Sequence, residues 1–161
     1  MAALKKPLLI IGKETIFRQP ATEAETVLLL ECLRNRFPEK FGFFDPLDWR
    51  TDAGIDCIVK SHEPGEICRF VEFKKDLTGG RFNHTFTYMH YIVCWQVKCE
   101  EGSVLEDPAR HKRKLVRHGA EEYDLPDTAP WTLEGDQKTI KVYSLRDILI
   151  EKLNVKLVNT A

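Results

Sequence analysis

Long hydrophobic runs are missing from this 161-residue sequence, and the longest ones fall far short of the ~20 residues that a membrane-spanning helix needs. The N-terminus, which begins MAALKK, also lacks the charged, apolar and small-residue regions of a secretory signal peptide. We therefore expect a cytoplasmic protein that has no membrane partner.

An excess of charge of either sign is missing as well. The sequence has 24 Lys and Arg against 25 Asp and Glu, so its formal net charge is −1. A near-neutral protein has no overall attraction to a nucleic-acid backbone, and any contact with DNA must come from a local basic patch. The charge balance argues against avid nonspecific binding and leaves a localised site open.

Metal-binding cysteine pairs and nucleotide-binding loops are also missing. The five cysteines, at positions 32, 57, 68, 94 and 99, form no CxxC pair and no recognised zinc-ligand spacing. The segment GKET at positions 12–15 lacks the upstream glycine and the spacing of a phosphate-binding loop. Neither a structural zinc site nor a P-loop is expected.

The sequence does contain alternating helix and strand patterns within one domain, residues 1–161. A helix is predicted from Thr22 to Arg36, where Thr22 and Glu25 form a capping box, and a final helix after Ser144. We expect an α/β sandwich with a central mixed β-sheet flanked by helices, ordered helix, strand, hairpin, short helix, strand, excursion, strand, helix. The apolar start suggests a domain cut from a longer protein, whose other domains would be partners.

Residues 100–137 interrupt this periodicity with segregated charges, which predicts an exposed excursion. Within it, Lys112, Arg113 and Lys114 form a basic block of the kind that contacts DNA phosphates. The alternative is a solvated loop that is neutralised by its acidic neighbours.

The stretch at positions 54–74 organises the rest of the chain. Its two apolar runs, GIDCIVK and ICRFVEFKK, flank SHEPG, which predicts a β-hairpin with Pro-Gly at its tip. Asp56 interrupts the first strand, while Glu72 and Lys74 interrupt the second, and ionised groups in buried strands need compensation. A three-residue loop would place Asp56 opposite Glu72, with Lys74 one step along the same face.

Two opposed carboxylates on rigid strands suit Mg²⁺, which prefers oxygen ligands and keeps several waters. A neighbouring lysine can steady an attacking water or the charge that develops on phosphorus. The alternative is structural: Lys74 forms a buried ion pair with Glu72 or Asp56 in an ordinary sheet.

Asp56 and the triplet Glu72-Phe73-Lys74 resemble the signature of the PD-(D/E)XK, or restriction-endonuclease-like, nuclease superfamily over residues 22–98, with Ile55 where the name has Pro. The resemblance implies a restriction-endonuclease-like sandwich and a DNA endonuclease that uses Mg²⁺ or Mn²⁺. Asp56 and Glu72 would bind the metal, the Phe73 carbonyl could add a ligand, and Lys74 would assist the attacking water. The alternative is a nuclease-fold module without turnover that binds nucleic acid or protein within a larger complex.

Two further residues are candidates for the site, one from the resemblance and one from the chemistry of histidine. Some members of the superfamily place a glutamate of the first helix near the metal, and Glu25 is the candidate here, with Glu31 second; alternatively, Glu25 only completes the helix cap. His84 could reach the metal site or a DNA phosphate as a donor or acid, and its alternative role is to cap a turn. The oligomeric state is left open.

Overall fold

The computed structural model describes residues 6–49, 56–61 and 68–159. Its strands are β1 Leu8–Ile11, β2 Glu14–Arg18, β3 Phe44–Trp49, β4 Cys57–Ser61, β5 Arg69–Leu77, β6 Gly80–Arg81, β7 Met89–Val97, β8 Val104–Glu106, β9 Lys112–Arg117, β10 Trp131–Glu134, β11 Ile140–Ser144 and β12 Lys156–Val158. Its helices are α1 Glu23–Arg36, α2 Pro38–Phe41 and α3 Leu145–Leu153.

A mixed sheet of nine strands dominates the structure, in the order β3-β4-β5-β7-β11-β10-β9-β8-β6, and confirms the expected α/β class. The central strands β5, β7 and β11 run parallel, whereas β3, β4 and β5 form an antiparallel meander. A second sheet, β12-β1-β2, has three strands. The hairpin of the sequence analysis is therefore β4–β5, and its tip, at positions 62–67, lies outside the described residues.

Helix α1 begins where the capping pattern predicted. Thr22 Oγ1 accepts a hydrogen bond from the Glu25 backbone N–H at 3.1 Å, and the buried residues of the helix are Thr26, Leu29, Leu30 and Leu33. Ser144 caps α3 in the same manner. Across the part of the chain that the structure describes, none of the helices is long and apolar enough to cross a membrane.

The helices cover one face of the large sheet. The buried side chains of α1 and α3 share a hydrophobic cluster with Val71 and Phe73 of β5 and Val93 of β7. The short helix expected between β5 and β7 is absent, since residues 78–88 form β6 and irregular turns instead. Gly80, which has a φ of +88°, breaks any helix there because such a conformation is left-handed.

The other face of the sheet is covered by the sheet itself. Strand β6 pairs with β8 at the far end of the strand order, although only two residues separate it from β5 in the chain. The large sheet therefore curls back on itself, and a second cluster fills the space inside the curl: Leu77, Phe82, Phe86, Met89, Ile92, Cys94, Leu105, Leu115, Leu133, Ile140 and Val142.

The prediction that residues 100–137 form an exposed excursion is wrong, because this segment supplies β8, β9 and β10 to the sheet. Along β9, Lys112 and Lys114 face solvent while Arg113 and Leu115 face inward. Arg113 is only 3% exposed; its guanidinium donates to the carbonyl oxygens of Leu133 and Lys138 and lies 5.6 Å from the centre of the Phe86 ring. Because Arg113 is charged but faces inward, the alternation of inward apolar and outward polar residues that indicates a strand is not visible in this charged stretch of sequence.

Arg113→Ala should lower the free energy of unfolding by about 2–4 kcal/mol, because it removes charged hydrogen-bond donors and a buried cation–π contact. Lys112→Ala, one residue away on the solvent face, should change it by less than about 0.5 kcal/mol. Urea denaturation followed by circular dichroism measures both. Equal, small effects would contradict the inward placement of Arg113.

Candidate functional site

The register of the β4–β5 hairpin is the one that the parity argument requires. Cys57 pairs with Val71, and Ile58 pairs with Phe70. Continuing this register by one residue sets Asp56 directly opposite Glu72, where the Cβ atoms of opposed residues are about 5 Å apart. The two carboxylates therefore start from neighbouring positions on one face.

Asp56 immediately precedes β4, and its side chain contacts the backbone of the neighbouring strand β5. Its Oδ2 accepts a hydrogen bond from the Phe73 backbone N–H at 2.6 Å. The N–H and C=O of one strand residue point toward the same neighbouring strand, so the Phe73 carbonyl also faces the Asp56 side. Within the described residues, the second carboxylate oxygen of Asp56, Oδ1, makes no hydrogen bond and could accept another ligand.

Glu72 is the buried member of the pair, at 1% exposure. Its Oε1 accepts a hydrogen bond from Lys74 Nζ at 2.5 Å and lies 3.3 Å from His84 Nε2. Its Oε2 is also buried and has no hydrogen-bond partner among the residues that the structure describes. Since an unsatisfied buried acceptor is costly, this oxygen marks a position where a ligand would be favourable.

The charges around Glu72 do not balance. Burial raises the pKa of its carboxyl, the Lys74 hydrogen bond lowers it, and the negative charge of Asp56 raises it again, to about 7 overall. Near neutral pH, both the protonated and the ionised form of Glu72 are therefore populated, because a single lysine does not offset burial and a second carboxylate.

His84 reaches the site from the loop between β6 and β7. Its Nε2 lies 2.9 Å from Asn83 Nδ2, in addition to the Glu72 contact. Burial and the Lys74 cation lower the pKa of His84, against the opposing effect of Asp56. A neutral imidazole at this position can exchange a proton with Glu72 or with a bound phosphate.

Asp107 holds the loop that carries His84. Its Oδ2 accepts hydrogen bonds from the Phe86 backbone N–H at 2.8 Å and the Thr85 hydroxyl at 3.2 Å, and its Oδ1 accepts from the His111 N–H at 2.9 Å. Burial raises the pKa of Asp107, but these hydrogen bonds and the His111 side chain lower it to about 2. Sequence reasoning missed this residue, because it stands in a run of charges with nothing to set it apart.

The structure does not bring Glu25 to the carboxylate pair. Glu25 accepts from Lys6 Nζ at 2.6 and 2.8 Å and from the Ala21 backbone N–H at 2.6 Å, so its role is the helix cap and an ion pair. The Lys6 hydrogen bond is the main cause of its lowered pKa. The second candidate, Glu31, contacts Arg34 at 3.4 Å.

Glu23 is the glutamate of α1 whose pKa is affected by the charges of the site. Burial raises its pKa, Lys74 lowers it and Asp56 raises it, so this carboxyl lies within electrostatic range of both site residues. A sequence signal was present: Glu23 precedes Leu30 by seven residues, which is two helical turns and therefore the same face.

The basic block does not form a continuous patch. Lys112 and Lys114 are exposed, but Arg113 is buried inside the curl and cannot reach a DNA backbone. Lys112 Nζ lies 3.7 Å from Glu106 Oε2, and Lys114 pairs across the sheet with Glu134. The assignment of Arg113 to DNA contact is therefore wrong, and the two lysines share their surface with acidic residues.

Comparison of the chain with protein-family models, curated proteins and solved structures found no match. The resemblance to the nuclease superfamily thus depends on Asp56, Glu72 and Lys74 and on the strands that carry them.

The fit of a divalent ion can be judged from the donor atoms. Within the described ranges, no three or more His, Cys, Asp and Glu side chains are grouped as a metal site. Mg²⁺ does not need such a group, since one or two carboxylates suffice when waters and substrate oxygens complete its shell. The buried, unpartnered Glu72 Oε2 and the raised pKa of Glu72 both fit a site that a cation would stabilise.

The raised pKa of Glu72 predicts how stability changes with pH when a chelator is present. Its proton is bound more tightly in the folded protein, near 7, than in the unfolded chain, near 4.5. The contribution is fully present below pH 4.5 and is lost as the pH rises through 7, which amounts to about 2–3 kcal/mol between pH 5 and 8. Glu72→Gln should remove this loss.

Urea titrations at several pH values provide the measurement, with Glu25→Gln as a matched control. Because the pKa of Glu25 is lowered, that variant should keep the wild-type pH dependence between pH 5 and 8. Parallel pH curves for the wild type and Glu72→Gln would contradict the raised pKa.

Proposed function

We propose that this protein hydrolyses phosphodiester bonds in DNA, with Asp56 and Glu72 holding a Mg²⁺ ion for which Mn²⁺ could substitute. One observation carries the proposal: a buried glutamate, one of whose oxygens has no partner among the described residues, lies opposite an aspartate, and a lysine contacts the same glutamate. An ion pair that served stability alone would satisfy both carboxylate oxygens.

Each residue has a separate task in this proposal. Asp56 Oδ1 and Glu72 Oε2 would bind the ion. The Phe73 carbonyl oxygen, which faces the same side, would be a third ligand. The bound ion would supply Lewis-acid activation of water and of a phosphoryl oxygen. Hydrolysis adds water across one P–O bond, which leaves a phosphate monoester on one DNA end and a hydroxyl on the other.

Lys74 is the group suited to the transition state. Its ammonium is fixed by the Glu72 hydrogen bond and lies 5.5 Å from the centre of the Phe82 ring, so few side-chain rotamers remain open to it. A positioned cation stabilises the charge that develops on phosphorus without reorganising. His84, neutral and beside Glu72, would hydrogen-bond to a phosphate oxygen or transfer a proton.

The finer fold assignment is part of the proposal. A helix that precedes an antiparallel hairpin, followed by parallel strands that bury its second strand, agrees with the restriction-endonuclease-like sandwich that the resemblance implies. The helices on one face and the curled β8–β10 segment on the other would then be features of this chain.

Lys74→Ala should reduce DNA cleavage by about 100-fold or more while Mg²⁺ still raises the melting temperature, because the lysine acts in the transition state and not in metal binding. Asp56→Ala should lose both cleavage and the Mg²⁺ effect. At Mg²⁺ 100-fold above its Kd, wild type gains about 2.7 kcal/mol, or roughly 5–10 °C.

Cleavage of labelled oligonucleotides and thermal melts with and without Mg²⁺ test this, and Lys75→Ala is the matched control. Lys75 is the next residue on β5 and pairs with Asp76 at 3.3 Å, so its removal should leave both measurements unchanged. A wild type that cleaves nothing and ignores Mg²⁺ in its melt would favour the module without turnover.

A further inference from the structure

A group of aromatic rings lies beside the carboxylate pair on the same face of the sheet. Phe70 precedes Glu72 by two residues on β5, which sets the two side chains on one face about 6.6 Å apart along the strand. Tyr88 meets Phe70 edge to face, with ring centres 6.4 Å apart, and the His90 ring lies 6.3 Å from Phe70.

Tyr88 is unusually open for an aromatic residue. Its exposed fraction is 59%, whereas Phe70 beneath it is half-buried. Tyr88 immediately precedes β7, so its backbone is anchored by a buried strand while its ring projects into solvent. A rigid, exposed ring offers a large stacking surface at little cost in conformational entropy.

Positive charge accompanies these rings. Lys138 is exposed, and its Nζ lies 2.7 Å from His90 Nε2, while Lys74 lies four residues after Phe70 along β5, beyond Glu72. Aromatic rings interleaved with cations match single-stranded nucleic acid, whose bases stack on rings and whose phosphates contact lysines.

We propose that Phe70, Tyr88 and Lys138 form a binding site for an unpaired nucleotide next to the scissile phosphate, so that the substrate is single-stranded or locally unpaired DNA. The inference deepens the proposed function and rests on it for the position of the phosphate. Bases inside a duplex have both faces covered by their neighbours, and only an unpaired or terminal base presents a free face to Tyr88. The Glu72 carboxylate is recessed, which also favours a strand that can bend into the site.

Fluorescence anisotropy with a labelled oligothymidylate and with a blunt hairpin duplex, both in EDTA to prevent cleavage, tests the site. Wild type should bind the single strand more tightly than the duplex. Tyr88→Ala should weaken single-strand binding by about 5- to 150-fold, the loss of one stacked base, whereas Tyr88→Phe should stay within about twofold.

Leu28→Ala is the matched control, because Leu28 on α1 has the same 59% exposure as Tyr88. It should leave DNA binding unchanged, and thermal melts should show both alanine variants folded. Wild type that binds strand and duplex alike, or Tyr88→Ala that binds like wild type, would overturn the inference. A Tyr88→Ala variant that changes only the sedimentation behaviour would assign the ring to a contact between copies and would also overturn it.

The outcomes separate this inference from the proposed function. If Lys74→Ala abolishes cleavage while Tyr88→Ala leaves single-strand affinity intact, the nuclease stands and the stacking site fails. If no DNA is cleaved but Tyr88→Ala alone weakens single-strand binding, the stacking site stands on a protein without turnover.

Discussion

The burial of Glu72 beside Asp56, with Lys74 as its one ammonium partner among the described residues, is the constraint on which the rest of the structure depends. Two carboxylates and one ammonium leave the site short of positive charge, and burial magnifies the deficit because the charged form of Glu72 loses its water. A proton makes up the difference, which is why the pKa of Glu72 rises to about 7. The Mg²⁺ ion of the proposed function would take the place of that proton.

The curl of the sheet fixes the positions of the side chains around Glu72. Lys74 lies against Phe82, and His84 follows two residues later, on a loop that leaves β6 and returns to β7. Asp107, directly after β8, holds that loop through two hydrogen bonds, from the Thr85 hydroxyl and the Phe86 backbone N–H, and it also accepts one from the His111 backbone N–H. The segment predicted as an excursion thus supports the site, because Glu106 and Asp107 hold the residues on either side of His84 by hydrogen bonds to Phe82, Thr85 and Phe86.

The sequence could predict the hairpin because the side chains of a strand alternate strictly between the two faces of the sheet. In one register Asp56 lies opposite Glu72, and a shift of one residue would place Asp56 and Glu72 on opposite faces. Helix caps were equally readable at Thr22 and Ser144. Arg113 was misassigned because its carbonyl partners lie 20 and 25 residues away, and no local pattern marks an arginine that is satisfied by distant backbone. Glu23 was not among the sequence candidates, Glu25 and Glu31, because its electrostatic coupling to Lys74 and Asp56 depends on the packing of α1.

The order of the strands has a consequence for association. A sheet that ends in a long, flat strand exposes a row of free N–H and C=O groups to any other chain. Here one end of the large sheet is β6, which has two residues, and the other is β3, which carries Pro46 and a register shift between Pro46 and Asp48. Proline, which has no N–H, and irregular pairing both prevent an edge strand from forming regular backbone hydrogen bonds with a further strand. A partner of this sheet must therefore recognise side chains, because its margins offer little backbone to extend.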